Sequence, residues 1–383
     1  MRTVYFDYNA TTPLDPGVRE AMRPFLESVW GNPSSVHHVG RHARALLDEG
    51  RERASRLLGC KPSEVVFTSG GTESANLAIC GAARLLKPKG RHIIASAIEH
   101  HAVLHACEHL AKKEGFELTL LPVNRQGLVE VKTLEQALRP DTVLVSVMAA
   151  NNEIGVVQPV AELGGLCRER GVLFHTDAVQ WFGKRPFESI QQFQADLVSI
   201  CAHKIHGPKG SGALFIKSPL LPEPILFGGG HENERRAGTE NLAGIIGLVE
   251  ALERFACRPV FDEERLLPLS DRLIRFLDGL PGVRFVGSRE QRLANTVSFV
   301  VEGADSIALL AGLDMEGICA SSGSACSAGS IEPSHVVRAL GVEERLANSL
   351  VRFSLGRDST FEEVEYVEQV LPEVIRRCRR QGC

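Results

Sequence analysis

Short apolar segments alternate with helical patterns from about residue 60 to residue 215, and this alternation constrains the fold most. The predicted strands are residues 64–68, 92–96, 117–122, 142–148, 172–176, 197–201 and 212–216. Strands that alternate with helices favour a mostly parallel sheet with helices on both faces. Such sheets bind ligands in a crevice at the carboxyl ends of their strands. We therefore expect an α/β fold with a mostly parallel seven-stranded sheet, and functional residues directly after the strands.

The length of the chain bounds the number of its domains. The 383 residues are enough for two domains with sizeable cores. A long helix is predicted over residues 241–257, leading out of the sheet domain. We expect a large domain over residues 14–257 and a smaller α/β domain over residues 258–383, which residues 1–13 complete.

Composition excludes several classes of partner. The net charge is −4 and 44% of the residues are hydrophobic, which gives no electrostatic case for nucleic acid or for an anionic membrane. No apolar stretch approaches the length of a membrane-spanning helix, and residues 1–13 do not resemble a signal peptide. Ten cysteines without a Cys-x-x-Cys pair do not resemble a disulfide framework. We expect a protein of the reducing cytoplasm.

Lys204 lies at the end of an apolar strand pattern and directly before a Gly/Pro turn. Burial at such a position disfavours the ammonium form of a lysine, because desolvation penalises its charge. A neutral lysine amine forms a Schiff base with an aldehyde, and pyridoxal 5'-phosphate (PLP) is the common aldehyde cofactor. Taken alone, a surface lysine beside a turn is the better interpretation, so the PLP hypothesis depends on the rest of the chain.

Two further segments offer the other parts of a PLP site. Asp177 follows the apolar segment 172–176, where a carboxylate would keep the pyridine nitrogen protonated and make the ring an electron sink. Gly71 and Thr72 lie in a strand, glycine turn and helix start that would bind a phosphate through backbone N–H groups. Alone, the aspartate is more simply a turn cap, and many turns between a strand and a helix resemble the glycine turn.

Cys326 lies in residues 321–330, a run of small residues. Such a segment predicts an exposed, mobile loop, because it offers little apolar surface to a core. A cysteine in that setting is a candidate nucleophile. A flexible linker with an incidental thiol is the equally weighted alternative.

Six motifs occur in an order that resembles the NifS/IscS-type cysteine desulfurases, which are fold-type I PLP enzymes of the class V aminotransferase family. The resemblance runs from residue 5 to residue 356. It implies a fold-type I PLP-dependent transferase that converts L-cysteine to L-alanine and transfers the sulfur to an enzyme cysteine as a persulfide. The motifs are Thr68-Ser-Gly-Gly-Thr-Glu-Ser-Ala-Asn76, Glu99-His-His-Ala-Val-Leu104, Asn151-Asn-Glu-Ile-Gly-Val-Val-Gln158, His203-Lys-Ile-His-Gly-Pro-Lys-Gly210, Arg236-Ala-Gly-Thr-Glu-Asn241 and Ser321-Ser-Gly-Ser-Ala-Cys326.

The resemblance also implies a role for each matching residue. Lys204 would form the Schiff base, Cys326 would be the persulfide-forming nucleophile, and His100 would stack on the ring and move protons. Arg352 would bind the substrate carboxylate in a bidentate fork, with help from Asn32. The residues implied to contact the cofactor are Gly71, Thr72, His100, Asn152, Asp177, Gln180, Cys201, His203, Lys204 and Thr239.

The implied partners are a second copy of the chain and a sulfur acceptor. Thr239 would reach the phosphate of the cofactor in the other subunit, so a homodimer is expected. The acceptor is left open between an iron–sulfur scaffold, a tRNA-thiolation protein and a protein of cofactor biosynthesis. The chain ends at Cys383 without the longer tail of the housekeeping IscS-type enzymes, which slightly favours a NifS-like role.

The sequence departs from the family pattern at a few positions. Cys201 replaces a phosphate-binding serine found in many relatives, and a thiol is the weaker donor. His231 and Asn233 replace an expected glutamine and arginine, which alters the expected contacts at the dimer edge.

Other classes of function share some of these sequence features. The alternatives are a different PLP enzyme, such as an aminotransferase or a selenocysteine lyase, and a non-catalytic sulfur-relay protein. An aminotransferase would not need Cys326.

His101, His105 and His109 share one helix face. We interpret this as a solvated polar face, so no metal site is expected.

Overall fold

The computed structural model describes residues 3–323 and 333–379. The strands of these residues are β1 (Val4–Tyr5), β2 (Val65–Thr68), β3 (His92–Ser96), β4 (Glu117–Leu121), β5 (Thr142–Ser146), β6 (Leu173–Asp177), β7 (Leu197–Cys201), β8 (Gly212–Ile216), β9 (Val283–Phe285), β10 (Thr296–Val301), β11 (Ile318–Cys319) and β12 (Val351–Ser354).

The α-helices of the described residues are interspersed with the strands along the chain. They are α1 (Pro16–Glu27), α2 (His38–Leu58), α3 (Gly71–Asn76), α4 (Ala82–Leu86), α5 (His101–Glu114), α6 (Val131–Ala137), α7 (Val160–Glu169), α8 (Leu242–Phe255), α9 (Glu263–Asp278), α10 (Ser306–Met315), α11 (His335–Ala339), α12 (Glu344–Ala347) and α13 (Phe361–Cys378). A π-helical segment, Leu77–Gly81, joins α3 to α4. The helix that begins at Gly71 therefore continues to Leu86.

Seven strands form the central sheet, in the order β2-β8-β7-β6-β5-β3-β4. The strands from β7 to β4 pair in parallel, and β8 runs antiparallel to both of its neighbours. The expected mostly parallel seven-stranded sheet is confirmed. Asp177 is the last residue of β6 and Cys201 the last of β7. Since neighbouring parallel strands end at the same edge, this order places the residues after β6 and β7 side by side.

Helices cover both faces of the central sheet, because its inner strands are apolar on both sides. Successive side chains of a strand point to opposite faces. Ile93 packs against the side that carries the helices from α3 to α5, and Ile94 packs against the side that carries α2, α7 and α8. Leu144 and Val145 divide between the two sides in the same way. The two cores hold the strand ends in fixed positions.

A second, smaller sheet has the order β12-β10-β9 and is antiparallel. Its core includes Phe299 and Phe353, together with Phe6 and Tyr8 of the N-terminal segment. Gly356 is required beside this segment, because a Cβ at that position would lie 2.3 Å from the Tyr8 ring. β1 pairs in parallel with β11, so the N-terminal segment joins the C-terminal part of the chain. Among the described residues, no helix combines the length and apolar character that a membrane crossing requires.

Candidate active site

A cavity of about 190 Å³ opens at the carboxyl ends of the central strands, between the two sheets. Ten of the residues singled out in the sequence line it together, although they are spread over most of the chain. Four more residues complete the lining: Asn9, Ala10, Met148 and Val179. The ten are Gly71, Thr72, His100, Asn152, Asp177, Gln180, Cys201, His203, Lys204 and Arg352.

Lys204 lies three residues beyond the end of β7, in the turn that the sequence predicted. Its Nζ donates hydrogen bonds to the backbone carbonyls of Asn9 at 2.7 Å and Ala10 at 2.6 Å. Both carbonyls belong to the N-terminal segment, which crosses the mouth of the sheet. The two carbonyls thus hold the amine at the cavity wall.

Asp177 ends β6 and is completely buried beside the cavity. Its Oδ1 accepts a hydrogen bond from the Val179 amide at 2.9 Å. Burial raises the pKa of Asp177 to about 6, and the Val179 N–H and the Lys204 charge offset only part of this. A cation placed in the cavity would favour the ionised carboxylate. A protonated pyridine nitrogen is such a cation.

His100 caps the N-terminus of α5, and its side chain faces the cavity. Its Nδ1 accepts the Ala102 N–H at 3.1 Å, so the proton of the neutral ring lies on Nε2. Burial, followed by the nearby Lys204 charge, lowers the pKa of His100 to about 4. The ring is therefore neutral at pH 7 and available to stack on a flat ligand.

A second cavity of about 390 Å³ adjoins the first at the start of α3. It is lined by Gly70, Gly71, Thr72 and His203 among others. Gly70 has φ +150, which favours glycine, and a Cβ on Gly71 would lie 2.8 Å from Val179 Cγ2. The backbone therefore approaches the cavity more closely than a side chain would allow, as a phosphate-binding turn requires.

Cys201 lies at the junction of the two cavities and is buried. Burial raises the pKa of its thiol, although the backbone N–H groups of Gly71 and His203 point to the sulfur and act in the opposite direction. The sulfur thus receives hydrogen bonds from the turn itself. This use of the sulfur as an acceptor was not visible in the sequence.

Arg352 enters the cavity from β12 with 1% of its surface exposed. Its Nη1 donates to the carbonyls of Asn152 and Gly323, both at 2.9 Å, and its Nη2 donates to Asp7 Oδ1 at 2.7 Å. Within residues 3–323 and 333–379, its Nε has no hydrogen-bond partner. A buried guanidinium with an unused donor is suited to a carboxylate ligand.

Asn9 connects most of these groups, and sequence reasoning missed it. Its carbonyl accepts from Lys204 Nζ and from Gln180 Nε2, at 2.7 and 3.1 Å. Its Oδ1 accepts from Lys184 and Asn295, and its Nδ2 donates to the Asn152 carbonyl. Asn9 lies within residues 5–13, where the resemblance to the family begins. The sequence therefore draws attention to this segment but not to the role of Asn9.

Three residues expected at the site do not line this cavity. Asn32 is exposed and its Oδ1 accepts the Ser34 N–H at 2.9 Å. Thr239 is also exposed and lies outside the lining. Cys326 lies outside the described residues. The described chain before it ends at Gly323, whose carbonyl Arg352 binds.

The histidines of α5 form a cluster of ring contacts. His101 and His105 stack with ring centroids 4.9 Å apart, and the His335 ring lies 4.7 Å from that of His101. Across the described part of the chain, no group of three or more histidine, cysteine or acidic residues is arranged to hold a metal ion.

Comparison with known proteins places the chain in a family. The aminotransferase class-V family matches residues 4–367. A cysteine desulfurase IscS from Dictyoglomus turgidum is 47% identical over 379 residues, which cover 99% of this chain and 96% of that protein. A solved NifS-like protein has a TM-score of 0.90 at 36% identity, covering 98% of this chain and 100% of its own. SspA, solved in complex with cysteine, has a TM-score of 0.80 at 34% identity, covering 94% of this chain and 100% of its own. The chain belongs to the aminotransferase class-V family and, within it, to the cysteine desulfurases of the NifS/IscS type.

Proposed function

We propose that this cysteine desulfurase holds PLP on Lys204 and transfers the sulfur of L-cysteine to Cys326, releasing L-alanine. One observation carries the proposal most directly: Lys204, Asp177 and Arg352 converge on a single cavity from two different sheets. These three residues offer an amine for an aldehyde, an acid for a ring nitrogen and a cation for an amino-acid carboxylate.

The residues of the cavity fit PLP. The buried Asp177 lacks a cationic hydrogen-bond partner in the described chain, and burial raises its pKa to about 6 even though the Val179 N–H and the Lys204 charge act in the opposite direction. The turn at Gly71 leaves the room that a Cβ would fill. When bound, PLP supplies a conjugated ring that accepts electron density from the substrate Cα. We expect Asp177 at the ring nitrogen, His100 on the ring face, and Gly71, Thr72 and His203 at the phosphate.

Arg352 orients the substrate. Asp7 and two carbonyls hold the two Nη atoms of Arg352, so the guanidinium is fixed. Its Nε, which has no hydrogen-bond partner in the described chain, is therefore a donor with a fixed direction. A carboxylate bound there places the Cα of the substrate between Arg352 and Lys204. Lys204 Nζ is a base that lines the same cavity, and the neutral His100 carries a proton on Nε2 that it can donate.

Sulfur transfer from L-cysteine to Cys326 needs no oxidant, reductant or further reactant. The thiolate of Cys326 forms a bond to the sulfur of L-cysteine while the Cβ–S bond of the substrate breaks. The electron pair of that bond stays with the carbon skeleton, which takes up a proton and leaves as L-alanine. The enzyme thiol becomes a persulfide that passes its outer sulfur to an acceptor, and a reducing compartment such as the cytoplasm keeps the Cys326 thiol reduced between turnovers.

We further propose a homodimer in which Thr239 reaches the phosphate of the cofactor in the other subunit. Thr239 is exposed and outside its own cavity, which leaves it accessible to a second copy. Trp30 and Phe227 are 77% and 84% exposed, and the segments that carry them meet where Ser34 Oγ lies 3.4 Å from His231 Nε2. Large exposed aromatic side chains are typical of interface cores. The final sulfur acceptor would be a protein such as an iron–sulfur scaffold.

The proposal is tested by alanine and sulfide release from L-cysteine in the presence of a reductant. We expect a yellow wild-type protein that forms both products, and a yellow Cys326→Ala variant that forms almost no sulfide. Cys257→Ala is the matched control, because Cys257 is an exposed cysteine outside the cavity. Full activity of Cys326→Ala would contradict the persulfide mechanism and favour a lyase or an aminotransferase.

A further inference from the structure

Lys184 is a buried lysine that does not line the cavity and has no assigned role. It is 2% exposed and lies four residues after Gln180. Its Nζ donates to Asn9 Oδ1 at 2.6 Å and to Gln180 Oε1. Both acceptors are neutral, and within the described part of the chain no carboxylate compensates the burial of this amine through a hydrogen bond. Burying a lysine without a counter-ion destabilises a protein, and such a residue calls for a functional explanation.

The position of Lys184 fixes the orientation of the Gln180 amide. A lysine ammonium or amine donates to Oε1, so Nε2 of Gln180 must face the other way. There it donates to the carbonyl of Asn9 at 3.1 Å. A flipped amide would place its NH₂ group against Lys184 Nζ, donor against donor. Gln180 therefore presents its N–H face, and not its oxygen, on the side of the cavity where Asn9 meets Lys204.

Lys184 also fixes Asn9. Asn9 Oδ1 accepts from Lys184 and from Asn295 Nδ2, which leaves its Nδ2 to donate to the Asn152 carbonyl and to Thr296. The carbonyl of Asn9 is one of the two acceptors of Lys204 Nζ. One buried amine thus orients both Gln180 and Asn9, and the carbonyl of Asn9 in turn accepts from Lys204.

Lys184 and Lys204 influence each other electrostatically. Burial lowers the pKa of Lys184 well below its usual range, and the charges on Lys204 and Arg352 lower it further. Such effects are reciprocal, so charge on Lys184 disfavours charge on Lys204. The Phe261 ring, 5.0 Å from Nζ, supports whatever positive charge Lys184 retains.

We propose that Lys184 is a positioning residue that holds the donor face of Gln180 and the carbonyl of Asn9 toward Lys204, and so sets the pH at which the Lys204–PLP linkage takes up its proton. The inference rests on the proposed function, since it needs PLP on Lys204. Removing Lys184 acts in one direction through two routes. Any positive charge on the Lys184 amine is lost, and the N–H face that Gln180 presents to the cavity is no longer fixed as a donor to an oxygen of the cofactor ring. Both changes make the linkage a stronger base.

The test is a pH titration of the visible absorbance of the PLP-loaded protein, with wild type, Lys184→Met and Lys112→Met compared at equal PLP occupancy. Methionine is close to lysine in length and lacks the amine. We expect the midpoint for Lys184→Met to rise by about one unit, the size of one ordinary hydrogen bond. We also expect kcat to fall about tenfold while KM for L-cysteine stays within about twofold. Lys112 is an exposed lysine on α5, and its variant should match wild type.

A double variant shows whether Lys184 acts through Gln180. If it does, Gln180→Ala raises the midpoint by itself, and adding Lys184→Met raises it by much less than in the wild-type background. Fully additive shifts would overturn the positioning role. If Lys184→Met does not fold, Lys184→Gln takes its place, because it is uncharged and one bond too short for both contacts. A wild-type midpoint in that variant would equally overturn the proposal.

The outcomes separate this inference from the proposed function. A wild-type protein that shows no PLP absorbance after loading contradicts the proposed function itself. A normal wild-type titration with an unshifted Lys184→Met, accompanied only by a lower melting temperature, shows that Lys184 is merely structural. Thermal unfolding of both proteins without PLP supplies that comparison.

Discussion

Asp7 and Arg352 form an ion pair that joins the N-terminal segment to β12, with Nη2 and Oδ1 2.7 Å apart. Two carbonyls hold the remaining Nη donor at 2.9 Å. The guanidinium is therefore oriented before any substrate binds, and under the proposed function the carboxylate of L-cysteine would meet a preorganised donor. Preorganisation of this kind lowers the cost of binding.

We predict that Asp7→Asn lowers the free energy of unfolding by about 2–3 kcal/mol, because it leaves the buried Arg352 without a counter-ion. A carboxylate ligand should replace the missing charge. L-alanine, which carries the carboxylate but no sulfur, should thus stabilise Asp7→Asn more than wild type. Denaturant unfolding with and without L-alanine measures both effects. Asp48→Asn, which breaks an exposed pair with Arg44, should change stability by less than about 1 kcal/mol. An Asp7→Asn variant as stable as wild type would show that the carbonyls alone hold Arg352.

The sequence predicted the central sheet and most of the cavity for a simple physical reason. The parallel strands are buried on both faces and stand out as apolar runs, and the residues that follow them meet at one edge. Lys204, Asp177 and Gly71 were found in this way. Strand ends were less certain: β6 includes Asp177, whereas the apolar pattern stopped at residue 176, because a buried carboxylate is not apolar.

The roles of Asn9, Asp7 and Lys184 could not be predicted from local patterns. Each acts through a partner far away in the chain, as Asp7 does through Arg352, 345 residues later. Which atom of an amide donates and which accepts depends on these distant contacts. Asn32 and Thr239 were assigned by resemblance alone, and neither residue lines the cavity of its own chain.

We predict that Gly71→Ala weakens PLP binding at least tenfold, because the new Cβ would lie 2.8 Å from Val179 Cγ2 at the phosphate end. Equilibrium binding of PLP to the cofactor-free protein, followed by absorbance, measures the change. Gly165→Ala is the matched control, since a Cβ there meets nothing within 4 Å. It should bind PLP as wild type does. Unchanged affinity in Gly71→Ala would show that the phosphate does not approach this turn.

We predict that Asp177→Asn stabilises the cofactor-free protein at pH 7, by on the order of 2–3 kcal/mol, while abolishing turnover. Burial raises the pKa of Asp177 from 3.8 to about 6. Below pH 3.8 the carboxyl is protonated in both states, so the two proteins should differ little. As the pH rises from 3.8 to 6, the unfolded chain loses the proton first and the native wild type loses stability. The difference in free energy of unfolding between variant and wild type should therefore grow from pH 3.8 to pH 6 and stay constant at higher pH.

Denaturant unfolding of the cofactor-free proteins between pH 3.5 and pH 7.5 checks this prediction. A variant less stable than wild type at pH 7 would contradict it, because that result would mean that the pocket favours the carboxylate without any cation.

We predict that acid destabilises the protein partly through His175, which is buried within the central sheet. Its Nδ1 lies 2.8 Å from Ser146 Oγ and its Nε2 lies 2.9 Å from Ser199 Oγ, and burial lowers its pKa to about 3. At pH 7 the residue is neutral in both states. As the pH falls below 6.5, His175 takes up a proton in the unfolded chain but stays neutral in the native protein. This difference lowers the free energy of unfolding by about 2 kcal/mol at pH 5. His175→Gln keeps hydrogen bonds to the two serines but cannot titrate, so its stability should fall by about 2 kcal/mol less than that of wild type between pH 7 and pH 5. His42→Gln, at an exposed histidine of α2, should follow wild type. Equal acid sensitivity of wild type and His175→Gln would assign the acid loss to other buried histidines.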